Sequence, residues 1–307
     1  MKWSKRGRIF VAEDAGGWAQ RYAFPPNPLL LDESTLRMYV SFCDANTVGR
    51  VGYVDVDARD PSRVLRVSSK PLLDIGEPGM FDENGVLPTS LVRVGSELFL
   101  YYVGYQLGYK VRYFQFQGLA ISRDHGETFE RYSRVPVIDR SHEEPLNRTS
   151  AFVMQDGDAF RMWYTAGGQW TVGAGGKALP LYNLRTIESA DGKHWPGHGA
   201  VAIDFASEDE HALGRPWIYQ EPSIWRMFFS SRTRSKDYRL GYAESTDRGR
   251  TWVRKDEEIG IDVSDTGWDS EMVAYASVVE VHGKVYMFYN GNGCGATGFG
   301  YAILESW

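Results

Sequence analysis

The sequence contains little cysteine, no long apolar segment and no excess of positive charge. Two cysteines in 307 residues, Cys43 and Cys294, are too few for a disulfide framework and are expected to be free thiols. No apolar run approaches the ~20 residues of a membrane-spanning helix, and the N-terminal segment lacks the apolar core of a secretory signal. The formal net charge of -6 argues against a general nucleic-acid binder, which presents a basic face. We therefore expect a cytoplasmic protein without nucleic-acid or membrane partners.

Helical patterning is also scarce, whereas aromatic residues and glycine are abundant. No stretch longer than about ten residues carries a convincing 3.6-residue period. The chain has 10 Trp, 18 Tyr, 15 Phe and 33 Gly. Aromatic side chains suit pleated sheets and glycine supplies the backbone angles of tight turns, so the composition favours short strands joined by turns. The sequence therefore predicts an all-β protein.

Three segments repeat one pattern of a serine, an aspartate, a glycine and an aromatic residue. They are SRDHGETF from Ser122, SADGKHW from Ser189 and STDRGRTW from Ser245, spaced by roughly fifty to seventy residues. Each follows a short apolar strand. We predict that their aspartates accept hydrogen bonds from amides of their own turns, which is a structural role. The repetition indicates a repeat architecture.

Strand patterns fall into five similar groups, at residues 27–57, 87–132, 149–195, 215–255 and 275–306. Each group has an apolar strand, a tight turn, an aromatic-rich strand and a third strand, and a polar fourth strand follows in groups two to four. Four antiparallel strands make one blade of a β-propeller. The N-terminal WSKRGRIFV supplies the fourth strand that the last group lacks, which removes an exposed sheet edge. We predict one domain over residues 1–307, a five-bladed propeller whose ring is closed by the N-terminal strand.

In such a blade, the residues before the innermost strand and the loop between strands two and three share one face. Carboxylates collect there at Asp82, Glu144 and Asp269, and arginines at Arg148 and Arg215. Paired carboxylates suit acid and base work on a glycosidic bond, and arginines suit an anionic group. The other side chains expected to bind substrate in this central funnel are Glu83, Trp170, Arg232, Glu271, Tyr275 and Asn290. Of these, Trp170, Arg232 and Asn290 are expected in the loops between strands two and three.

Three further patterns carry less weight. GCGATG at residues 293–298 matches a dinucleotide-binding glycine motif, but a strand pattern follows it where that motif requires a helix. Asn147-Arg148-Thr149 matches a glycosylation sequence, which has meaning only in a secreted protein. The six histidines have no metal-ligand spacing. We expect no cofactor and no structural metal, and leave a bound calcium ion or inorganic phosphate open.

The repeated unit resembles that of the five-bladed propeller glycosidases, which include arabinanases and xylosidases, the invertase-like enzymes and the β-mannoside phosphorylases. The resemblance covers about residues 20 to 305, and the aspartate turns are also similar to the Asp boxes of the six-bladed sialidases. It implies a glycan-active enzyme with an acidic base on the first blade. This chain has Asn27-Pro28 where that family tends to have Asp-Pro. The resemblance then implies that the catalytic carboxylates come from Asp82, Glu144 and Asp269, with Glu83, Glu143 and Glu271 in reserve.

The first hypothesis is an inverting glycoside hydrolase that acts on a small or anionic sugar. Glu144 would be its general acid and Asp82 or Asp269 its base. Trp170 and Tyr275 would stack on the sugar. A glycoside phosphorylase, a glycosyltransferase of glycan biosynthesis, and a non-catalytic propeller that binds a glycan or a protein stay open as alternatives.

Overall fold

A computed structural model describes residues 1–12, 17–173, 176 and 178–307 of the chain. These residues form twenty β-strands, one short 3-10 helix at Asp256–Glu258 and one helical turn at Asn292–Gly295. The prediction of an all-β protein is confirmed. No helix in this part of the chain is long and apolar enough to cross a membrane.

The strands belong to two compact units. The first comprises Met1–Pro71, Trp217–Ser230 and Asp237–Trp307, and the second comprises Leu72–Pro216 and Ser231–Lys236. The expectation of a single domain over the whole chain stays a prediction.

The first unit contains two four-stranded antiparallel sheets. One has the order β2-β3-β4-β5, with β2 at Arg21–Leu30, β3 at Thr35–Cys43, β4 at Gly49–Asp57 and β5 at Val64–Val67. The other has the order β1-β20-β19-β18, with β1 at Lys2–Phe10, β18 at Ala274–Val281, β19 at Lys284–Asn290 and β20 at Phe299–Ser306. Since β1 pairs with β20 in antiparallel register, the N-terminal segment does supply the fourth strand of the last group.

The second unit contains two consecutive strand groups. The first group is β6 Val86–Val94, β7 Glu97–Leu107, β8 Tyr113–Ser122 and β9 Glu130–Arg131. The second group is β10 Asn147–Asp156, β11 Ala159–Val172, β12 Ala178–Ser189 and β13 Ala200–Ile203. In both groups each strand pairs with the next in antiparallel register. These are the predicted second and third groups.

The remaining group is β14 Glu210–Gln220, β15 Trp225–Thr233, β16 Arg239–Ser245 and β17 Val253–Arg254. The boundary between the two units falls within β14 and β15. The helical turn Asn292–Gly295 leads directly into β20, so the glycine motif opens no helix of the kind a dinucleotide site needs.

Both faces of the central strands are buried, which explains their continuous apolar and aromatic sequences. In β3, Leu36, Met38 and Val40 point into one core cluster. The opposite face carries Arg37, which is fully buried, and its Nε donates to Asp55 Oδ1 at 2.7 Å. A charge is tolerated there because the carboxylate and the ring of Tyr53, 3.7 Å from the guanidinium carbon, replace its hydration.

The two cysteines form no disulfide. Cys43 is buried at the end of β3 and Cys294 is half-buried in the helical turn. Burial is the main reason why the pKa of the Cys43 thiol is raised, to about 12. The thiol is therefore protonated at neutral pH and is not a nucleophile.

The repeated Ser-x-Asp turns have the structural role that the sequence predicts. Asp124 Oδ1 accepts hydrogen bonds from the amides of Glu127 at 3.1 Å and Thr128 at 2.9 Å. The hydroxyl of Ser122 accepts the amide of Gly126 at 2.8 Å, and this glycine has a φ of 89° that disfavours other residues. The turns at Asp191 and Asp247 repeat this arrangement. These aspartates hold their own loops.

The first testable prediction concerns the aspartate turns. Burial alone would raise the pKa of the Asp124 carboxyl, but hydrogen bonds from Thr128 and Ser122 outweigh it and lower the pKa from 3.8 to about 2. A pKa depressed in the folded state stabilises the fold above the unfolded value and loses this effect as the pH falls through about 2. Asp124→Asn should lower the urea midpoint at pH 7 and shrink the difference between midpoints at pH 5 and about pH 2.5.

Asp158→Asn is the matched control, since Asp158 is an exposed aspartate in another turn. It should leave both midpoints unchanged. A pH difference in Asp124→Asn equal to that of the parent protein would contradict a stabilising role for this turn.

Candidate functional site

Asp82, a predicted catalytic carboxylate, is fully buried just before β6. Its Oδ2 accepts hydrogen bonds from the Tyr102 hydroxyl at 3.0 Å and from Arg131 Nε at 2.8 Å. Its Oδ1 packs against Gly76, where a Cβ would collide with it. Burial and the neighbouring carboxylate raise the pKa of Tyr102, so its hydroxyl stays a donor. The carboxylate is enclosed by protein.

Asp269 has an equivalent environment in the first unit. Its side chain precedes β18 and is only 2 % exposed. Oδ2 accepts from Lys5 Nζ at 2.8 Å and from the Tyr289 hydroxyl at 3.0 Å. A tyrosine of the second strand and a cation of the outer strand thus meet this carboxylate as well.

Glu144 forms the third arrangement of this kind. It is 1 % exposed, and both carboxylate oxygens accept from the Tyr164 hydroxyl, at 2.9 and 2.8 Å. Arg148 Nε lies 2.5 Å from Oε2, and Arg185 Nη1 lies 3.2 Å from Oε1. The amide of Gly199 donates to Oε1 at 3.0 Å. The carboxylate is therefore surrounded by donors on both of its oxygens.

We call these three arrangements the carboxylate clusters. Their tyrosines occupy the same place in the second strand of each group, in LYYV, MWYT and MFYN. The fourth group has MFFS instead, and Arg254 lies over the ring of Phe229 at 5.2 Å. A structural anchor is expected to recur in several strand groups, whereas catalytic groups act together at one site. The catalytic roles of Asp82, Glu144 and Asp269 stay predictions, and their surroundings favour anchoring.

The predicted anion-binding arginines are also engaged. Arg148 donates from Nη1 to the Asp139 carbonyl at 3.0 Å and from Nη2 to the Pro196 carbonyl at 2.7 Å, besides pairing with Glu144. Nη1 and Nη2 therefore donate to protein carbonyls, whereas Nε pairs with the Glu144 carboxylate by charge but makes no hydrogen bond within the described residues. Arg215 is 3 % exposed in β14, and Arg232 is half-buried in β15.

Four innermost strands contain a residue with positive φ that is not glycine. These are Tyr22 at 59°, Ser150 at 53°, Arg215 at 54° and Tyr275 at 59°. Such backbone strain is uncommon for bulky residues, and in a strand it redirects the side chain. Tyr275, a predicted sugar-stacking residue, is half-buried, with ring centroids 6.4 Å from Phe24 and 5.6 Å from Tyr238. It belongs to an aromatic group of the first unit.

Two buried amides serve the fold. Asn27 Nδ2 donates to the carbonyls of Pro25 at 2.8 Å and Tyr39 at 3.2 Å, so it fixes the bulged start of β2. Asn290 Nδ2 donates to the carbonyls of Ala23 and Gly298, each at 2.9 Å. Asn27 and Asn290 are both fully buried, so neither side chain faces solvent.

One expectation about local structure is wrong. Trp170, Arg232 and Asn290 lie in strands β11, β15 and β19, and not in the loops between strands two and three. The reason is strand length: β11 continues to Val172, where it still pairs with Ala178 of β12. Trp170 is therefore held on a hairpin, directly opposite Pro180.

This hairpin borders a small pocket in the second unit, with a cavity volume of about 20 Å³. This is room for about one water molecule and lies below the range of small-molecule sites. No lining side chain is an acid or a base of the Asp, Glu, Lys, Arg or His type. The lining residues are Tyr113, Phe114, Gln115, Leu146, Asn147, Trp170, Pro180 and Tyr182.

Asn147 is one of seven pocket residues, all except Trp170, for which the sequence predicts no binding role. It is 8 % exposed, and its buried Oδ1 has no hydrogen-bond partner among the described residues. Its position at the head of β10, beside Arg148, is the one sequence signal that marks it. Sequence reasoning assigned it only to a glycosylation pattern.

Glu83 differs from its buried neighbour Asp82. It is half-buried, Oε2 accepts from the Gly79 amide at 2.6 Å, and Oε1 accepts from Gln106 Nε2 at 3.3 Å. No cation of the described chain forms an ion pair with it. Gln106 lies opposite Phe114 of the pocket in the β7–β8 register. Glu143 and Glu271 are exposed, the latter in the first unit.

No metal centre is formed by the residues that the structure describes, 13–16, 174, 175 and 177 being outside them. Among them, no three His, Cys, Asp or Glu side chains converge as metal ligands. The expectation that the protein works without cofactor or metal stays a prediction.

Comparison with known proteins defines the class. Residues 73–212 match the model of the glycosyl hydrolases family 32 N-terminal domain. A solved family-43 glycoside hydrolase, a thermostable one, superposes with a TM-score of 0.68 at 16% identity, covering 96% of this chain and 91% of that chain. A glycosyl hydrolase from Bacteroides ovatus superposes with a TM-score of 0.72 at 14% identity, covering 99% and 93%. The chain resembles propeller-type glycoside hydrolases and is a glycoside hydrolase-like enzyme.

The particular family follows from a full-length relative. The chain is 36% identical over 306 residues to the uncharacterized protein Rv1502 of Mycobacterium tuberculosis, and the match covers 100% of both chains. This chain belongs to the same family as that protein.

The anchoring role of the carboxylate clusters is testable through Arg131. Arg131→Met leaves the Asp82 carboxylate buried without its cation, which typically costs ~3–5 kcal/mol. The free energy of unfolding, measured with urea at pH 7, should fall by about this amount. Arg123→Met is the control, since the Arg123 side chain is 63% exposed and its pair with Glu97 is worth ~1 kcal/mol or less. Equal losses in the two variants would contradict anchoring.

Proposed function

We propose that the protein hydrolyses a glycosidic bond in a carbohydrate bound to the second unit. The proposal is carried by one observation: the family-32 match and the pocket residues occupy the same part of the sequence. The family-32 match spans residues 73–212, and every residue that lines the pocket lies within that range, as does Glu83. The matched segment thus contains a small aromatic and amide-lined pocket and a half-buried carboxylate, Glu83, whose partner Gln106 lies opposite the pocket residue Phe114.

We further propose that the five strand groups are five blades of one propeller, with β1 completing the last blade. The four-stranded antiparallel groups support this count, and the likeness to glycoside hydrolases of the same fold class supports it further. The cytoplasmic location stays a prediction.

Among the predicted carboxylates, we assign the acid or base role to Glu83. A catalytic acid or base must exchange a proton with the substrate within hydrogen-bond reach. Asp82 and Glu144 are enclosed by protein and paired with cations, which keeps them out of reach of a substrate. Among the described residues, Glu83 has only a backbone amide and a side-chain carboxamide as hydrogen-bond partners, and the carboxamide residue, Gln106, lies opposite Phe114 in the strand register.

The proposal has two more specific parts, an inverting mechanism and a small or anionic substrate. Inversion requires two carboxyls ~6.5–9.5 Å apart, against ~5–5.5 Å for retention. Glu83 would supply one, and the exposed Glu143, close in sequence to the pocket residue Leu146, is the candidate for the second. The occupied nitrogens of Arg148 give an anionic substrate no support from that side chain.

Turnover tests the function directly. Aryl glycosides of neutral pyranoses and furanoses, and short oligosaccharides, should be cleaved without phosphate, and ¹H NMR of the first product should show the inverted anomer. Cleavage only with phosphate would indicate the phosphorylase alternative. Retention of configuration would overturn inversion alone, and no turnover on any substrate would sink the hydrolase proposal.

Glu83→Gln tests the catalytic assignment. Loss of a general acid or base typically lowers turnover by ~10²–10⁴-fold. We expect that loss at an unchanged urea midpoint, because the amide retains the size and one acceptor of the carboxylate. Glu208→Gln, at an exposed glutamate of the same unit, should retain full turnover. Unchanged turnover in Glu83→Gln would remove this residue from the mechanism.

A further inference from the structure

Arg140 of the second unit has a side chain that aromatic rings hold in place while it stays accessible. Its guanidinium carbon lies 5.3 Å from the ring centre of Phe114 and 5.5 Å from that of Phe116. These two residues of β8 point to the same face of the sheet. A guanidinium that stacks on aromatic faces keeps the N–H groups at its edge available to an acceptor. Since the side chain is 45% exposed, a ligand can reach it.

The guanidinium of Arg140 has a weak charge partner in the described part of the chain. Asp139 Oδ1 lies 3.9 Å from Arg140 Nε, beyond hydrogen-bond distance, and the same oxygen accepts the backbone amide of Arg140 at 2.7 Å. Both side chains are largely exposed, and ion pairs between exposed groups contribute little. Among the described residues, the guanidinium forms no hydrogen bond, so its donors remain available to a ligand.

The backbone that carries Arg140 is fixed by contacts on either side of β8's edge. The Val137 amide donates to the Gln117 carbonyl at 2.9 Å, which aligns this segment with β8. Arg148 Nη1 donates to the Asp139 carbonyl at 3.0 Å. Because the binding group is already ordered, it loses little conformational entropy when a ligand arrives.

Glu83 and Arg140 lie over the same face of the β7–β8 pair. Gln106 Nε2 donates to Glu83 Oε1 at 3.3 Å. Gln106 is the register partner of Phe114, so the side chains of these two residues are neighbours on one face. Phe114 in turn lies beneath the guanidinium of Arg140. The carboxylate and the guanidinium are therefore linked through two adjacent side chains.

A second contact joins the segment of Glu83 to the same pair of rings. Phe81 packs edge-on against Phe116, with 6.2 Å between ring centres, and Arg140 lies over Phe116 as well. The segment of Glu83 and the side chain of Arg140 thus rest on a common aromatic support. A short oligosaccharide at Glu83 can therefore place one of its substituents at Arg140.

The chemistry of the guanidinium selects an oxyanion as that substituent. Its N–H donors lie in one plane and match the oxygens of a carboxylate or a phosphate, with which they form charge-assisted hydrogen bonds. In carbohydrates these groups occur in uronic acids and in sugar phosphates. A hydroxyl offers an uncharged acceptor and gains less. An anionic sugar therefore gains an ion pair at Arg140 that its neutral counterpart lacks.

We infer that Arg140 determines specificity for an anionic carbohydrate, because it pairs with a carboxylate or phosphate on a sugar that reaches Glu83. The inference deepens the proposed function and rests on it for the choice of a carbohydrate. Neutral carbohydrates bind without this ion pair and therefore more weakly.

Binding of matched sugars tests the inference. Isothermal calorimetry at low ionic strength, where an exposed ion pair is least screened, would compare methyl glucuronide with methyl glucoside, methyl galacturonide with methyl galactoside, and mannose 6-phosphate with mannose. The anionic member of at least one pair should bind about tenfold more tightly, and the pair that shows this separates a carboxylate from a phosphate. Equal or weaker binding of every anionic member, or no binding of any of them, would overturn the inference.

Three variants locate the anion. Arg140→Met keeps an apolar chain over the rings but removes the charge, so it should weaken the anionic sugar about tenfold and leave its neutral counterpart and the urea midpoint unchanged. Arg140→Lys keeps the charge without the planar donors and should restore part of the affinity. Arg123→Met removes the same charge from a side chain that is 63% exposed and should bind as the parent protein does.

The outcomes separate the two proposals. Binding of an anionic sugar that depends on Arg140, without any turnover, would uphold the specificity role and sink the hydrolase. Turnover with the same preference between anionic and neutral substrates in Arg140→Met and in the parent would uphold the hydrolase and overturn the role of Arg140. A lower urea midpoint in Arg140→Met at unchanged sugar affinities would identify a packing role and would also overturn it.

Discussion

An ionised carboxylate can be buried only when donors and a cation replace the water it loses, and this constraint organises the strand groups of the protein. Asp82, Glu144 and Asp269 each sit at the head of an innermost strand, and each meets a tyrosine from the next strand. A basic side chain completes the arrangement. Because three separate segments must be in register to satisfy one carboxylate, each cluster ties the strand head to the rest of its group.

Buried polar atoms without a hydrogen-bond partner occur in the carboxylate clusters as well as in the pocket. Asp82 Oδ1 and Asn147 Oδ1 are both buried, and neither has a partner among the described residues. Such atoms lower stability unless an ordered water or a ligand supplies the partner. Burial and an unmet polar atom therefore do not by themselves separate residues that stabilise the fold from residues that bind a ligand.

The fold was more predictable from the sequence than the site. Repeated turns such as STDRGRTW have fixed local geometry, and the strands around them alternate clearly, so element order and the pairing of β1 with the last group followed from pattern. The burial of individual acids could not be predicted from pattern, because Asp82 and Glu83 are adjacent in sequence yet the first is fully buried and the second half-buried. Whether a carboxylate is enclosed depends on Tyr102 and Arg131, which are distant in sequence. Trp170 and Asn147 show the same limit: the first was assigned to a loop because the long β11–β12 pairing has no local signal, and a single amide carries no pattern.

The pairing of β1 with β20 has a consequence for biosynthesis. Lys5 and Asp269 are 264 residues apart, so during translation the first strand emerges long before its partner exists. At typical elongation rates of ~5–20 residues per second, that wait lasts on the order of fifteen to sixty seconds for a chain of 307 residues. An unpaired strand edge invites association with neighbouring nascent chains. The unpaired first strand, KWSKRGRIF, carries four positive charges. Repulsion between these strands on adjacent ribosomes would keep the nascent chains apart until the C-terminal strands are synthesised.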